Sequence, residues 1–311
     1  MPDPSSASAS DSAPDPVKPS KQAVFRSRLL STLILWALVT TGVMLNLDWL
    51  FFLIIGGLAV LGLLETLRMF RLHVANRYYV WTIGLSLAYL GTTFYHCQTV
   101  ASAPQRVYFA HLDIFFLCLH VFGLFSITML GDLEGELTLK RILGATFAFI
   151  YVIFLFTFMT RVLYLPAEHG VFYALYCVAV TKFTDMGAYL LGTLCGKHKM
   201  IPHISPGKTW EGFVGALLGA FAASLLVYLI FQGKLGFFNL THALILPLAL
   251  GIAAVLGDLA ESVVKRCTNV KDSGNMLPGI GGALDLIDSL CFTAPVMYLY
   301  MNYVMGLSPT T

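Results

Sequence analysis

Long apolar runs broken by short polar stretches dominate this chain. Runs of roughly 17–25 apolar residues are long enough to cross a bilayer as helices. About nine lie near residues 29–46, 49–67, 78–96, 107–130, 142–165, 170–192, 212–232, 242–262 and 283–305. The pattern predicts an all-α, polytopic integral membrane protein with about nine transmembrane helices. The break at Asn46-Leu47-Asp48 is so short that the first two runs should form a tight helical hairpin. Residues 1–24 are rich in Ser, Ala, Pro and Asp and too poor in apolar residues to fold alone, which predicts a disordered cytoplasmic tail. No signal peptide is expected, because the first apolar run follows that long polar tail. No internal repeat is visible.

Composition sharpens this picture. The chain is 57% hydrophobic and 12% charged, against about 25% charged for a soluble domain, so an ordinary soluble domain is excluded. Six Cys stand apart with no CxxC pair and read as small apolar residues. Charge position says more than net charge. Of the 19 Lys and Arg, fifteen fall at the breaks and flanks of one side. Arg106, Arg161 and Lys234 fall on the other side, and Lys182 lies within a run. Basic loops stay cytoplasmic, so the N-terminus and the two longest polar loops, 193–211 and 263–282, are expected there, in an inner or cytoplasmic membrane.

Two polar constellations stand out against the apolar background. One is Lys182-x-x-Asp185 followed by Ser205-Pro206-Gly207-Lys208-Thr209-Trp210-Glu211. Intramembrane Lys and Asp are costly unless they face a polar cavity or each other; an ion pair at i, i+3 is the plain alternative. Gly207-Lys208-Thr209 is not a Walker A loop, because Pro202 stands where that motif needs Gly. Ser205, Lys208 and Thr209 could hold phosphate, or Thr209 could simply cap a helix.

The other constellation runs from Gly257 to Ser289. Asp258, Glu261, Ser262 and Lys265 share one helical face, and Asp285, Asp288 and Ser289 share another. Between them lie Arg266, Lys271, Asp272 and a turn ending in Gly281-Gly282. Two acidic helical faces joined by a basic, glycine-rich loop suit a metal ion and a polyphosphate. His111 and Asp113 read as interfacial and His120 as a packing residue.

These residues resemble a known signature. Ser262-x-x-Lys265-Arg266-x4-Lys271-Asp272-x-Gly274, then Pro278-Gly279-x-Gly281-Gly282-x-x-Asp285-x-x-Asp288-Ser289, is similar to that of the phosphatidate cytidylyltransferases. Asp185-x-x-Ala188-Tyr189 and Ser205-Pro206-x-Lys208-Thr209-Trp210-Glu211-Gly212 resemble that family's upstream motifs. The family pattern has His where this chain has Ile280 and Arg where it has Leu286.

The resemblance implies CTP + phosphatidate → CDP-diacylglycerol + pyrophosphate. It implies Mg2+ on Asp258, Asp285 and Asp288, alone or beside a second cation. Lys265 is expected at the reaction centre. Ser205, Lys208, Thr209, Ser262, Arg266, Lys271, Asp272, Gly281 and Gly282 are expected to bind substrate. Lys182, Asp185 and Glu261 are secondary candidates. Expected partners are CTP, phosphatidate and the lipid bilayer, with no nucleic acid; a homodimer stays open. The chemistry is expected in 166–311, with 25–165 supplying N-terminal transmembrane helices. A related lipid-phosphate cytidylyltransferase, a degenerate paralogue and an ion-coupled transporter are the alternatives.

Overall fold

The structure, a computed structural model, describes residues 41, 42, 45, 47–99, 105–164, 169–236, 238–274 and 281–307. The expected tail over 1–24, most of the first expected span at 29–46, including Asn46 of the hairpin turn, and Ile280 lie outside them.

The apolar runs become helices. They are α1 Asp48–Met69, α2 Asn76–Thr99, α3 Gln105–Met129, α4 Glu136–Ala148, α5 Leu155–Tyr164, α6 Gly170–Cys195, α7 Trp210–Phe231, α8 Leu240–Cys267 and α9 Ala283–Tyr303. A π-helical stretch, Phe149–Phe154, joins α4 to α5 within one continuous rod. Six helices among the described residues are long and apolar enough to cross a membrane: α1, α3, the α4–α5 rod, α7, α8 and α9. Among the described residues the expected count of about nine is not confirmed. Both α2 and α6 have the length, with 24 and 26 residues. Polar residues dilute them, among them Thr82, Ser86 and Thr93 in α2 and Thr181, Lys182, Thr184 and Asp185 in α6.

Two boundaries differ from the sequence pattern. Helix α8 runs through Cys267, so Lys265 and Arg266 sit on it and not in a loop. The polar stretch before α7 folds into an antiparallel hairpin, β1 Lys199–Ile201 with β2 Ser205–Thr209, a small departure from an all-α fold.

Helix α9 is the axis of the bundle, packing against α8, α5 and α1. Its Leu284, Ile287, Cys291, Ala294, Met297 and Met301 are fully buried. Helices α6 and α7 pair more closely still, because glycines meet across their seam. A Cβ on Gly215 would stand 2.4 Å from the Gly187 carbonyl oxygen, and one on Gly219 would stand 2.2 Å from that of Phe183. Small residues that let backbones touch are the usual basis of helix pairing in lipid, where no hydrophobic force separates protein from solvent.

Arg161 and Asp113 correct the sequence reading, which placed Arg161 in an outer loop and Asp113 at the interface. Both lie inside the bundle. Arg161 is 2% exposed and donates Nη1 to Asp113 Oδ2 at 2.9 Å and Nη2 to the Tyr89 hydroxyl at 2.8 Å. The guanidinium also faces the Phe109 and Phe158 rings at 4.8 and 4.5 Å. This fork-to-fork pair ties α2, α3 and α5 together, with the guanidinium buried and the carboxylate partly so. His120 is buried and stacks on Phe149 at 4.6 Å, in the packing role expected of it.

The glycine seam gives a stability test. Gly215→Val forces the Gly187 carbonyl away, and overpacking of this kind costs about 1–3 kcal/mol. The variant should melt several degrees below wild type in detergent micelles. Gly57→Ala, with no heavy atom within 4 Å of the added Cβ, should melt no lower than wild type. Equal midpoints for Gly215→Val and wild type would show that the seam is not tight.

Candidate active site

Helices α8 and α9 meet at Gly257, and that contact sets the site. A Cβ there would lie 2.8 Å from both the Asp288 carbonyl oxygen and the Ser289 Cα. With none present, the helix backbones touch. Asp258 and Glu261 on α8 then face Asp288 on α9, and one carboxylate oxygen from each lies within 4.8 Å of the others. Glu261 and Asp288 are 4% and 6% exposed. Two like charges this close repel by about 3 kcal/mol at an effective dielectric of 20. Among the described residues, Glu261 Oε1 is buried without a hydrogen-bond partner. Three carboxylate oxygens this close could hold a divalent cation between them.

Lysines surround the acids. Lys265 donates to Glu261 Oε2 at 2.9 Å and to Asp285 Oδ1 at 2.5 Å. Lys208, from β2, reaches Asp258 Oδ2 at 2.9 Å and the Val255 carbonyl at 3.3 Å. Lys182, from α6, donates to the Leu286 carbonyl at 2.9 Å and stands 3.7 Å from Asp185. The two constellations, some 70 residues apart in sequence, are therefore one site. Arg266 adds a further link, donating Nε to the Ile204 carbonyl of the hairpin at 3.2 Å.

A cavity of about 210 Å³ opens beside Lys208 and Asp258. Asp185 and Tyr189 line it, together with apolar Met200, Phe213 and Val255. It is smaller than the roughly 300–1,000 Å³ of sites for drug-sized ligands. Its mixed lining suits a charged headgroup entering from an apolar side.

Several expected residues are placed differently from their anticipated roles. Asp285, expected beside Asp258 and Asp288, turns to Lys265 and accepts the Gly282 N–H at 3.1 Å. Glu261, a secondary candidate, takes its place in the acidic trio. Since Gly282 already donates to Asp285, its N–H is not free for phosphate. Gly281 has φ +116°, which favours glycine. Thr209 caps α7, its hydroxyl accepting the Gly212 N–H at 3.1 Å. Ser205 lies on β2 and Ser262 on α8, both partly buried, while Lys271 and Asp272 are exposed just beyond α8. Lys182 and Asp185 form the i, i+3 pair and also border the site.

One residue at the site was missed. Glu65 of α1 is 1% exposed, and its Oε2 accepts the Leu284 N–H at 2.9 Å. The signal was present, since Glu65 lies in the interior of an apolar helix whose other acid, Asp48, is its first residue.

A sequence model described as "Cytidylyltransferase family" matches residues 26–304. The chain is 31% identical over 299 residues to the phosphatidate cytidylyltransferase of Haemophilus influenzae, covering 91% of this chain and 100% of that protein. It is 31% identical over 277 residues to that of Bacillus subtilis, covering 85% and 96%. It is 37% identical over 178 residues to the uncharacterized protein YnbB of Escherichia coli, covering 56% of this chain and 58% of that protein.

The Gly257 contact can be tested through metal affinity. Gly257→Ala pushes α8 from α9 and should weaken Mn2+ binding to the purified protein at least about tenfold, in line with the 10–100-fold cost of disturbing a site's supporting shell. Unchanged Mn2+ affinity, read by electron paramagnetic resonance, would separate the trio from metal binding.

Proposed function

Since the chain belongs to the cytidylyltransferase family, we propose that it joins CTP to phosphatidate within the membrane, forming CDP-diacylglycerol and releasing pyrophosphate. The observation that carries this reading is the convergence of Asp258, Glu261 and Asp288 beside Lys182, Lys208 and Lys265, inside the span that matches the family. The chemistry belongs to 166–311, and the helices of 25–165 support it.

The reaction asks little of the protein in covalent terms. A phosphatidate oxygen, already ionised, attacks the α-phosphorus of CTP; the new P–O bond forms as the bond to the β-phosphate oxygen breaks. Such transfers are accelerated by alignment and by neutralising charge. The lysines are poised for this. An ammonium group has three donors; Lys265 hydrogen-bonds two protein oxygens, while Lys182 and Lys208 each hydrogen-bond one carbonyl and pair with one carboxylate. One donor on each remains for a phosphate oxygen. Arg266, Lys271 and Ser262 add donors at the rim. Tyr189, Met200 and Phe213 give the lipid an apolar wall beside Lys208.

The residues fit a divalent cation, because Glu261 keeps a buried oxygen, unpartnered among the described residues, beside Asp258 and Asp288. Asp258, Glu261 and Asp288 would hold Mg2+, which supplies charge neutralisation for the triphosphate. Asp285 stands next to them and orients Lys265. A second cation has no further oxygens assigned to it.

Purified protein in micelles with phosphatidate, labelled CTP and Mg2+ should yield lipid-linked CMP and an equal amount of pyrophosphate. Excess EDTA should abolish both products. Asp288→Asn, and Asp285→Asn through loss of its hold on Lys265, should each lower kcat on the order of 100-fold, the scale of losing one preorganised electrostatic group. No product from the wild-type protein would refute the activity, and full turnover in EDTA would refute the metal.

The hairpin before α7 and the α8–α9 turn lie at one end of the bundle, which we assign to the cytoplasm from the bias of Lys and Arg. In a Cys-free background, Gly207→Cys and Lys271→Cys should resist an impermeant maleimide in intact cells and react once the membrane is opened. Labelling of either in intact cells would reverse the assigned orientation.

A further inference from the structure

We propose that Glu65 is a positioning residue for the α8–α9 site, a carboxylate from the N-terminal helices that fixes the start of α9; the proposal rests on the cytidylyltransferase reading. Glu65 lies within the apolar helix α1, where an ionisable group is expensive and rarely without purpose. Its Oε2 accepts the N–H of Leu284, in the first turn of α9. That N–H has no partner within its own helix, and a carboxylate at a helix N-terminus is favourably placed. Glu65 thus caps α9 from another part of the chain, 219 residues away.

The surrounding sequence is shaped to admit it. A Cβ on Gly274 would lie 2.4 Å from Glu65 Oε1, and one on Gly282 would lie 2.9 Å from Oε2. The two glycines leave the room that the carboxylate fills. Ser273 is also buried there, and a Cβ on Gly282 would lie 1.9 Å from its hydroxyl oxygen. Among the described residues, Glu65 Oε1 has no hydrogen-bond partner.

The connection to the site is short. Leu284 precedes Asp285, which accepts from Gly282 and from Lys265, and Lys265 holds Glu261. If the Leu284 amide is released, the first turn of α9 loosens, and Asp285 no longer sets Lys265. Glu65 itself touches none of the proposed substrate groups. Its effect should therefore fall on turnover more than on substrate affinity.

The test compares wild type, Glu65→Gln and Glu65→Leu in micelles, with three readouts. These are kcat and KM for phosphatidate and CTP, the thermal midpoint, and hydrogen exchange across the first turn of α9. Gln keeps an acceptor for Leu284 and should keep turnover close to wild type. Leu should lower kcat about 10- to 100-fold, the range for groups that orient a site from behind. KM should change little, and exchange should quicken at residues 283–286 with the remaining helices unaffected. Should Glu65→Leu fail to fold, Gly274→Ala displaces the carboxylate with Glu65 retained and should give the same loss of kcat.

Wild-type kcat in Glu65→Leu, or in Gly274→Ala where that variant is used, overturns the proposal. So does a Glu65→Gln as inactive as Glu65→Leu. An inactive wild type would refute the cytidylyltransferase reading instead. Exchange at α9 would then still decide whether Glu65 holds its start, and unchanged exchange in Glu65→Leu overturns that.

Discussion

The backbone contact at Gly257 is the constraint on which the site depends. Helices in lipid pack as closely as their side chains allow, and with ordinary side chains between them their axes stay 8–10 Å apart, as a rough rule. At Gly257 the α9 backbone occupies the space where a Cβ would be. This proximity lets Asp258 and Glu261 on one helix converge with Asp288 on the next. The acids do not draw the helices together, since their charges repel. Packing forces the acids together, and Lys208 and Lys265 offset part of their charge. Large apolar residues of α9, among them Leu284, Ile287 and Met297, supply the opposing attraction by burying against the rest of the bundle.

The same logic recurs at the α6–α7 seam, with a different result. There Gly187, Gly215 and Gly219 bring two backbones together, and the tight pair fixes where the β hairpin leaves the bundle. Lys208 on β2 can then reach Asp258, and Arg266 can tie the end of α8 to the hairpin. Away from the site, the Arg161–Asp113–Tyr89 cluster fastens α2, α3 and α5. A buried pair of this kind adds little net stability, but breaking one side is costly. It fixes how the N-terminal helices sit against one another, and α1 carries Glu65 to the start of α9.

Much of this was legible in the sequence, for physical reasons that also mark where legibility ends. Apolar runs locate helices well, because a bilayer imposes both length and composition. They say less about α2 and α6, whose polar residues face other helices and lower their hydropathy. Residue spacing put Asp258 and Glu261 on one face and Asp285 and Asp288 on another, and α8 and α9 do carry these pairs. Spacing cannot show which members of two faces meet. That depends on the height at which Gly257 crosses α9, and the crossing selects Asp288 and Glu261 while leaving Asp285 to Lys265. Depth is likewise hidden. Arg161 and Asp113 lie near the ends of their apolar runs and look interfacial, yet Arg161 is buried and pairs with a partly buried Asp113. Glu65 was overlooked because no motif surrounds it in the interior of an apolar helix, and its partner is a backbone amide that no pattern records.

Leu286 shows how a departure from a family pattern can leave a site's geometry intact. The pattern carries Arg there, and losing a cation beside a triphosphate looks damaging when read from sequence. In the fold, the side chain of Leu286 packs against the apolar core of the bundle. Its backbone carbonyl accepts the Lys182 ammonium at 2.9 Å. A carbonyl is present whatever the side chain, so the Lys182 contact does not depend on the identity of residue 286. With Lys182 held there and paired with Asp185, a positive group remains at this edge of the acidic cluster, supplied by α6 in place of α9. The charge that a sequence pattern assigns to one position is, in the folded chain, a property of the space around it.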